Sequence, residues 1–287
     1  MIYTLKNEKL TVLVSSKGAE LISAKDTDGK EYIWQADAKY WGRHAPILFP
    51  VCGRLLNSEY TLGGTSYKMG SHGFARDMEF DLKDSGKDFL TFVLTQNEST
   101  AKVYPFDFTL TVKYAIDGHT LTMAIEVKND SDKTMPYMIG WHPGFTIDGL
   151  IDNYSVKVKC GDSVKRNYMK PSLFVESEAV DYPIADGIFK LSEKEIYGED
   201  TLIFKNIGGE SILLKGEKSV LKIKQSENLP YYAIWKAPKS EAKYICLEPW
   251  SDIPSDGVNP ECFDTRKMSR LESGEAEIYV FSVDFIG

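Results

Sequence analysis

The sequence is short of the features that classify a chain most quickly. Its four cysteines, Cys52, Cys160, Cys246 and Cys262, show no CxxC spacing, so neither a zinc ribbon nor a redox pair is suggested. Four scattered thiols in a chain of this length read as reduced and structural, which points to the cytosol. Long apolar runs are absent too. The longest nearly apolar stretch, Ala45 to Cys52, is far below the roughly 20 residues that span a bilayer. The opening MIYTLKNEKLTVLV is broken by Lys6, Glu8 and Lys9, so no signal-peptide core is expected there. Basic residues are outnumbered, 34 against 42 acidic ones, for a net charge of −8. That balance excludes nucleic acid and anionic membranes as expected partners, since both would repel the chain. The acids are dispersed, as on a solvated surface. Helical periodicity is scarce: only short pieces near Ala36–Trp41 and around Glu178–Phe189 read as helical. No linker rich in Gly, Pro or Ser divides the chain, and no repeat of fixed period occurs.

What the sequence does have is alternation. KLTVLVS (9–15), FTLTVKY (108–114), HTLTMAIEV (119–127) and EIYVFSV (277–283) alternate apolar with polar residues and are rich in β-branched and aromatic side chains. A strand turns successive side chains to opposite faces, so this period marks strands with one buried face. Turn dipeptides punctuate them: Asp28-Gly29, Gly63-Gly64, Ser85-Gly86, Asp117-Gly118 and Gly208-Gly209. Asp117-Gly118, between two alternating runs, predicts a hairpin. Residues 165–200 are the most irregular and read as long loops. At 43% hydrophobic, 287 residues bury one large core or two modest ones. Strands in this number must stack as two sheets or close into a barrel to cover their apolar faces. The expectation is all-β: one domain over 1–287, built as a large β-sandwich.

With only four histidines, each setting is informative. His119 lies just after Asp117-Gly118 and reads as an exposed hairpin residue. His44 follows Trp41-Gly42-Arg43, either lining a pocket or packed structurally. His72 sits in GSHGFARD and His142 in GWHPGF, where glycines allow unusual backbone shapes and aromatics flank the imidazole. Glu248, in YICLEPWSD, ends an apolar strand where the chain turns at proline. A carboxylate there stands either at a sheet's mouth or buried with a partner, because an unpaired buried charge is expensive. Trp250 beside it offers an apolar face for a sugar ring. Arg54, in FPVCGR, supplies a rigid fork of donors suited to hydroxyls or an anion. Arg43, Arg54 and Arg76 lie close together in the chain and read either as cations of one pocket or as ion-pair partners of nearby acids such as Asp77 or Glu79.

FPVCGR, GSHGFARD, GWHPGF and CLEPWSD, in this order, resemble the aldose 1-epimerase (galactose mutarotase-like) family, and its short bacterial LacX-like branch in particular. The likeness runs from the first strands to the last. It implies a β-supersandwich with an open cleft for a small sugar and no cofactor or metal. Carried over by motif, His142 matches the family's general acid and Glu248 its general base. His72 matches the histidine that positions the sugar, and Arg54 the arginine that binds its hydroxyls. Asp200, in GEDTLIF, matches a sugar-binding aspartate through less distinctive neighbours.

The chemistry suits these side chains. Interconverting anomers takes a proton from the C1 hydroxyl and gives one to the ring oxygen, so one base and one acid must flank one ring. Glutamate, with a reference pKa of about 4.3, and histidine, at about 6.5, fit those two roles near neutrality. Three other readings remain open. A non-catalytic carbohydrate-binding protein would use the same cleft. A metal enzyme would use His72, His142 and Glu248 as two imidazoles and a carboxylate, although no HxH or HExxH spacing favours it. A glycoside hydrolase or lyase would need a second acid beside Glu248, from Asp200 or Asp252. A hexose 6-phosphate would call on Arg43 and Arg76 as well as Arg54. The identity of the aldose and the oligomeric state are open at this point.

Overall fold

The structure, a computed structural model, describes residues 1–160, 163–170, 174–192, 201–238 and 241–286. Among these, strands dominate and the single α-helix, Glu98–Ala101, is one turn long. Asn97 caps that turn, accepting from the Ser99 and Thr100 N–H groups while Thr100 Oγ1 accepts from the Asn97 N–H.

The long alternating segments fold as their period requires. Thr120–Asn129 and Phe108–Asp117 bury alternate residues, and pair from Thr120 opposite Asp117 to Asn129 opposite Phe108. Gly118 takes the positive φ of +53° that the tight turn between them needs. His119 is exposed beside it. These two strands lie inside a nine-stranded sheet that also contains Ala276–Phe285, Lys218–Gln225 and Glu210–Lys215. A second large sheet runs Val180–Pro183, Ser163–Asn167, Thr201–Lys205, Tyr231–Trp235, Tyr244–Trp250, Gly140–Trp141 and Ile47–Leu48, with Gly144–Thr146 also paired to Tyr244–Trp250. Ile2–Lys6, Leu10–Ser15 and Glu20–Asp26 form a smaller three-stranded sheet.

The two large sheets meet through side chains pointing inward from both. Trp141 packs on Phe281 with ring centroids 5.7 Å apart, and Phe204 on Phe189 at 4.3 Å. The Ser211 and Tyr232 hydroxyls share a hydrogen bond of 2.6 Å across the same interface. The all-β sandwich is therefore observed, as composition and alternation required.

Two local expectations fail. Residues 36–41 form a turn and extended chain, with the Tyr40 and Trp41 N–H groups both donating to the Asp37 carbonyl. Residues 178–189 hold two strand segments, Val180–Pro183 and Ile188–Lys190, paired to Ser163–Asn167 and Tyr154–Val158. Cross-strand pairing to distant segments overrides weak local helical character there.

Candidate active site

The site is built on a long, fully buried strand of the second sheet. Every residue of Tyr244–Trp250 is buried. Because side chains alternate, Tyr244, Cys246, Glu248 and Trp250 share one face. On one side the strand pairs with Tyr231–Trp235, Glu248 lying opposite Ala233, and on the other with Gly140 and Gly144–Thr146. Gly140 must be glycine: a Cβ there would stand 2.7 Å from the Trp250 indole and 3.1 Å from Cys52 Sγ. That close approach carries the chain straight into His142, whose N–H donates to the Pro46 carbonyl at 3.0 Å. The Ser251 hydroxyl accepts from the Ile139 N–H at 2.9 Å, tying the segment before His142 to the turn after Glu248.

The result is a direct meeting of two titratable groups. His142 Nε2 stands 3.3 Å from Glu248 Oε2, with the carboxylate buried and the imidazole side chain 9% exposed. Neither carboxylate oxygen has a well-formed hydrogen bond, and His142 Nδ1 has none. Burial therefore governs both. It pushes the Glu248 carboxyl well above the usual range, offset in part by the Trp250 indole N–H. It lowers the His142 imidazole to about 3, and the Arg76 and Arg43 guanidiniums act in the same direction. Burial thus favours a pair that shares one proton and carries no net charge, whether as carboxylic acid with imidazole or as carboxylate with imidazolium.

His72 approaches from a loop. Its backbone has φ +64°, and its N–H donates to the Gly53 carbonyl at 2.8 Å. The Gly53 N–H in turn donates to His72 Nδ1 at 3.0 Å. A nitrogen that accepts carries no proton, so the neutral ring bears its hydrogen on Nε2. Burial, His142 and three arginines hold the imidazole well below its ordinary value, which keeps that tautomer neutral. The ring lies edge-on to His142, with centroids 5.4 Å apart.

These groups open into a cleft of about 350 Å³, lined among others by Arg54, Ser71, His72, Arg76, His142, Glu248 and Trp250. The volume suits one small ligand. Arg54 is exposed at the rim. Arg76 is half-buried, donates to the Ser71 carbonyl at 2.6 Å and lies 3.9 Å from Asp77, to which Arg43 binds at 2.9 Å. Burial and Arg43 lower the Arg76 guanidinium to about 10. An acidic protein therefore places two cations, Arg54 and Arg76, on one cleft, with Arg43 next to Arg76 and paired to Asp77.

His142, Glu248, His72, Arg54 and Trp250 are thus brought together as the sequence suggested. Asp200 lies outside the described residues, although its neighbour Thr201 lines the cleft. Asp252 is turned away. It lies 3.7 Å from Arg266, beside a separate surface cavity, which leaves Glu248 as the one carboxylate lining the cleft among the described residues. His44 serves the fold: its N–H donates to Glu20 and its carbonyl accepts from Gly144. Sequence reasoning missed the aromatic wall. Trp41 stacks on His142 at 4.8 Å and Trp235 meets the same ring edge-on at 5.4 Å. Both are half-buried, whereas Trp250 is only 3% exposed, so Trp41 and Trp235 offer more free ring surface to a ligand. The metal-ligand set suggested by sequence also differs from the one the fold assembles. His72 Nδ1 is occupied by Gly53, and among the described residues the group within mutual reach is His142, Cys246 and Glu248.

The aldose 1-epimerase family model matches residues 1–258. The chain belongs to the aldose 1-epimerase family. The chromosomal LacX protein of Lactococcus lactis is 32% identical to this member over 269 residues, 88% of each chain. A solved galactose mutarotase-like protein of Lactobacillus casei is 30% identical, with a TM-score of 0.93 over the full length of both chains. A protein of Escherichia coli K12, provisionally named as a glucose-6-phosphate 1-epimerase, is 29% identical over 152 residues, half of each chain.

Proposed function

We propose that this protein interconverts the α and β anomers of an aldose by opening and reclosing its ring, with Glu248 and His142 moving the protons. The observation that carries this reading is the 3.3 Å separation of His142 Nε2 and Glu248 Oε2 at the cleft floor. A cyclic aldose bears two oxygens on C1, the hydroxyl and the ring oxygen. They stand closer to each other than these two protein atoms, so one side chain can serve each.

Glu248 takes the proton of the C1 hydroxyl while the C1–O5 bond breaks and His142 gives a proton to O5. The product is an open-chain aldehyde with a free C5 hydroxyl. After rotation about C1–C2 the carbonyl presents its other face, and both transfers run backwards to the opposite anomer. The carboxylate–imidazolium form that begins this sequence differs from the neutral form only by one proton shift across 3.3 Å. Each proton transfer is typically worth about 100- to 10,000-fold. His72 Nε2–H, Arg54 and Arg76 would hold the ring hydroxyls so that both transfers align, with Trp41 and Trp235 against the C–H face.

A phosphorylated hexose is supported as substrate by Arg54 and Arg76 at the cleft and Arg43 behind them, a cationic mouth on an acidic protein. The name carried by the Escherichia coli relative points the same way. The test is a mutarotation assay on neutral aldoses and their 6-phosphates, followed by polarimetry or NMR and corrected for the spontaneous rate. Acceleration of at least one aldose is expected, with the 6-phosphates favoured. No acceleration of any would leave the cleft as a binding site without turnover.

A further inference from the structure

Cys246 has no part in the proposed reaction, yet it lies two residues before Glu248 on the same face of the same strand. One imidazole nitrogen of His142, the Cys246 sulfur and one Glu248 carboxylate oxygen all lie within 4.8 Å of one another, and all three residues are buried. We propose that these three side chains form an inhibitory zinc site, in which a Zn²⁺ ion arriving through the sugar cleft takes His142, Cys246 and Glu248 as ligands and blocks the cleft floor.

Three observations support it. Zn–N and Zn–O bonds of about 2.0–2.2 Å at a tetrahedral angle put nitrogen and oxygen about 3.3 Å apart. That is the His142 Nε2–Glu248 Oε2 separation already present. The thiol leg is longer, and an approach of about 1 Å would bring sulfur to tetrahedral range. Second, both Glu248 oxygens are buried without a good partner, so an ion there would satisfy polar atoms that the protein leaves open. Third, charge closes. Zn²⁺ with one thiolate, one carboxylate and a neutral imidazole sums to zero, which suits a dry floor. Binding releases the Cys246 proton and the proton shared by the histidine–glutamate pair to solvent. His142 and Glu248 both line the cleft, so an ion between them is reached from it. An imidazole, a thiolate and a carboxylate together favour Zn²⁺ over the oxygen-seeking Mg²⁺ and Ca²⁺.

Binding of the ion does not depend on the proposed reaction; its effect on turnover does. The experiment therefore has a binding arm and a rate arm. In the first, Co²⁺ is titrated into the purified full chain, and the near-ultraviolet thiolate-to-cobalt absorption is followed. Zinc-soaked crystals of the unaltered protein are examined for anomalous scattering. One equivalent of ion is expected at His142, Cys246 and Glu248, with the thiolate band lost in Cys246→Ser and kept in Cys160→Ser and Cys262→Ser. In the second arm, Zn²⁺ should suppress mutarotation, and Cys246→Ser should raise the zinc concentration for half-inhibition at least about tenfold, each variant being compared with its own metal-free rate. Loss of a ligand should exceed the roughly 10- to 100-fold affinity loss typical of removing a group behind one. A thiolate band that survives Cys246→Ser, or zinc density away from the three residues, overturns the proposal. So does zinc bound at the site without inhibition of an active enzyme. Zinc bound at the site of a protein that accelerates no aldose leaves the metal site standing and removes the epimerase reading instead.

Discussion

The Gly53 N–H donates to His72 Nδ1 at 3.0 Å, and that one bond decides which nitrogen of the histidine is left to donate. It fixes His72 as a neutral donor through Nε2, which in the proposed reaction suits orientation of the sugar and not proton transfer. Replacing it with glutamine should raise KM about three- to tenfold with a smaller change in kcat, as for loss of one neutral hydrogen bond. Steady-state kinetics of His72→Gln would show it. A kcat loss of 100-fold at unchanged KM would place His72 among the proton-transfer groups.

The pH dependence follows from burial of the pair. His142 is lowered to about 3 and Glu248 is raised, so a second proton joins the pair only well below the ordinary histidine value. The shared proton likewise leaves only above the ordinary carboxylate value. Both shifts widen the pH interval of the one-proton state, and its acid limit falls well below the range in which a solvated histidine would titrate. Catalysed mutarotation, corrected for the uncatalysed rate, should not fall as pH is lowered from 7 to about 5. A fall with a midpoint near 6.5 would mean that an ordinary, solvated histidine controls the rate.

Much of this was legible in the chain, for reasons visible in particular residues. The alternation of Thr120–Asn129 is a local signal, and it gave strand, buried face and hairpin together. His142 and Glu248 stood out because each follows an apolar segment at a turn. Trp41 and Trp235 did not, because a tryptophan becomes a cleft wall only through contact with segments about 100 residues away. Residues 178–189 misled because their pairing partners, Ser163–Asn167 and Tyr154–Val158, lie elsewhere in the chain. Cys246 was recoverable in principle from its two-residue spacing to Glu248. Its proximity to His142 was not.

Arg54 tests the substrate class. A hydrogen bond to a charged group contributes roughly 1.5 to 3 kcal/mol, so Arg54→Ala should weaken binding of an anionic hexose about 10- to 150-fold. The loss for the neutral hexose should be smaller, and the difference should shrink as salt is added. Calorimetric titration of both sugars into parent and variant measures it. Equal losses for the two would make Arg54 a hydroxyl ligand, and no loss would make it structural.

Arg266 tests the support beneath the site. It binds Glu261, lies 3.7 Å from Asp252, and donates to the Ile253 carbonyl at 2.6 Å, with all three charged side chains no more than 15% exposed. Arg266→Ala leaves two buried carboxylates without their cation, which should cost about 3 to 5 kcal/mol. Denaturant unfolding reads this as a lower midpoint. An unchanged midpoint would mean that the cluster is relieved by solvent.

The most direct measurement is anomer exchange at a saturating sugar concentration in Glu248→Gln, with sugar affinity determined on the same sample. Glutamine keeps the size of the side chain and removes the base. Turnover should fall at least about 100-fold while affinity stays within a few-fold of the parent. Parent-like turnover would contradict the assignment of Glu248 as the base. Loss of binding with loss of turnover would make Glu248 a ligand anchor and favour a cleft that holds sugar without converting it.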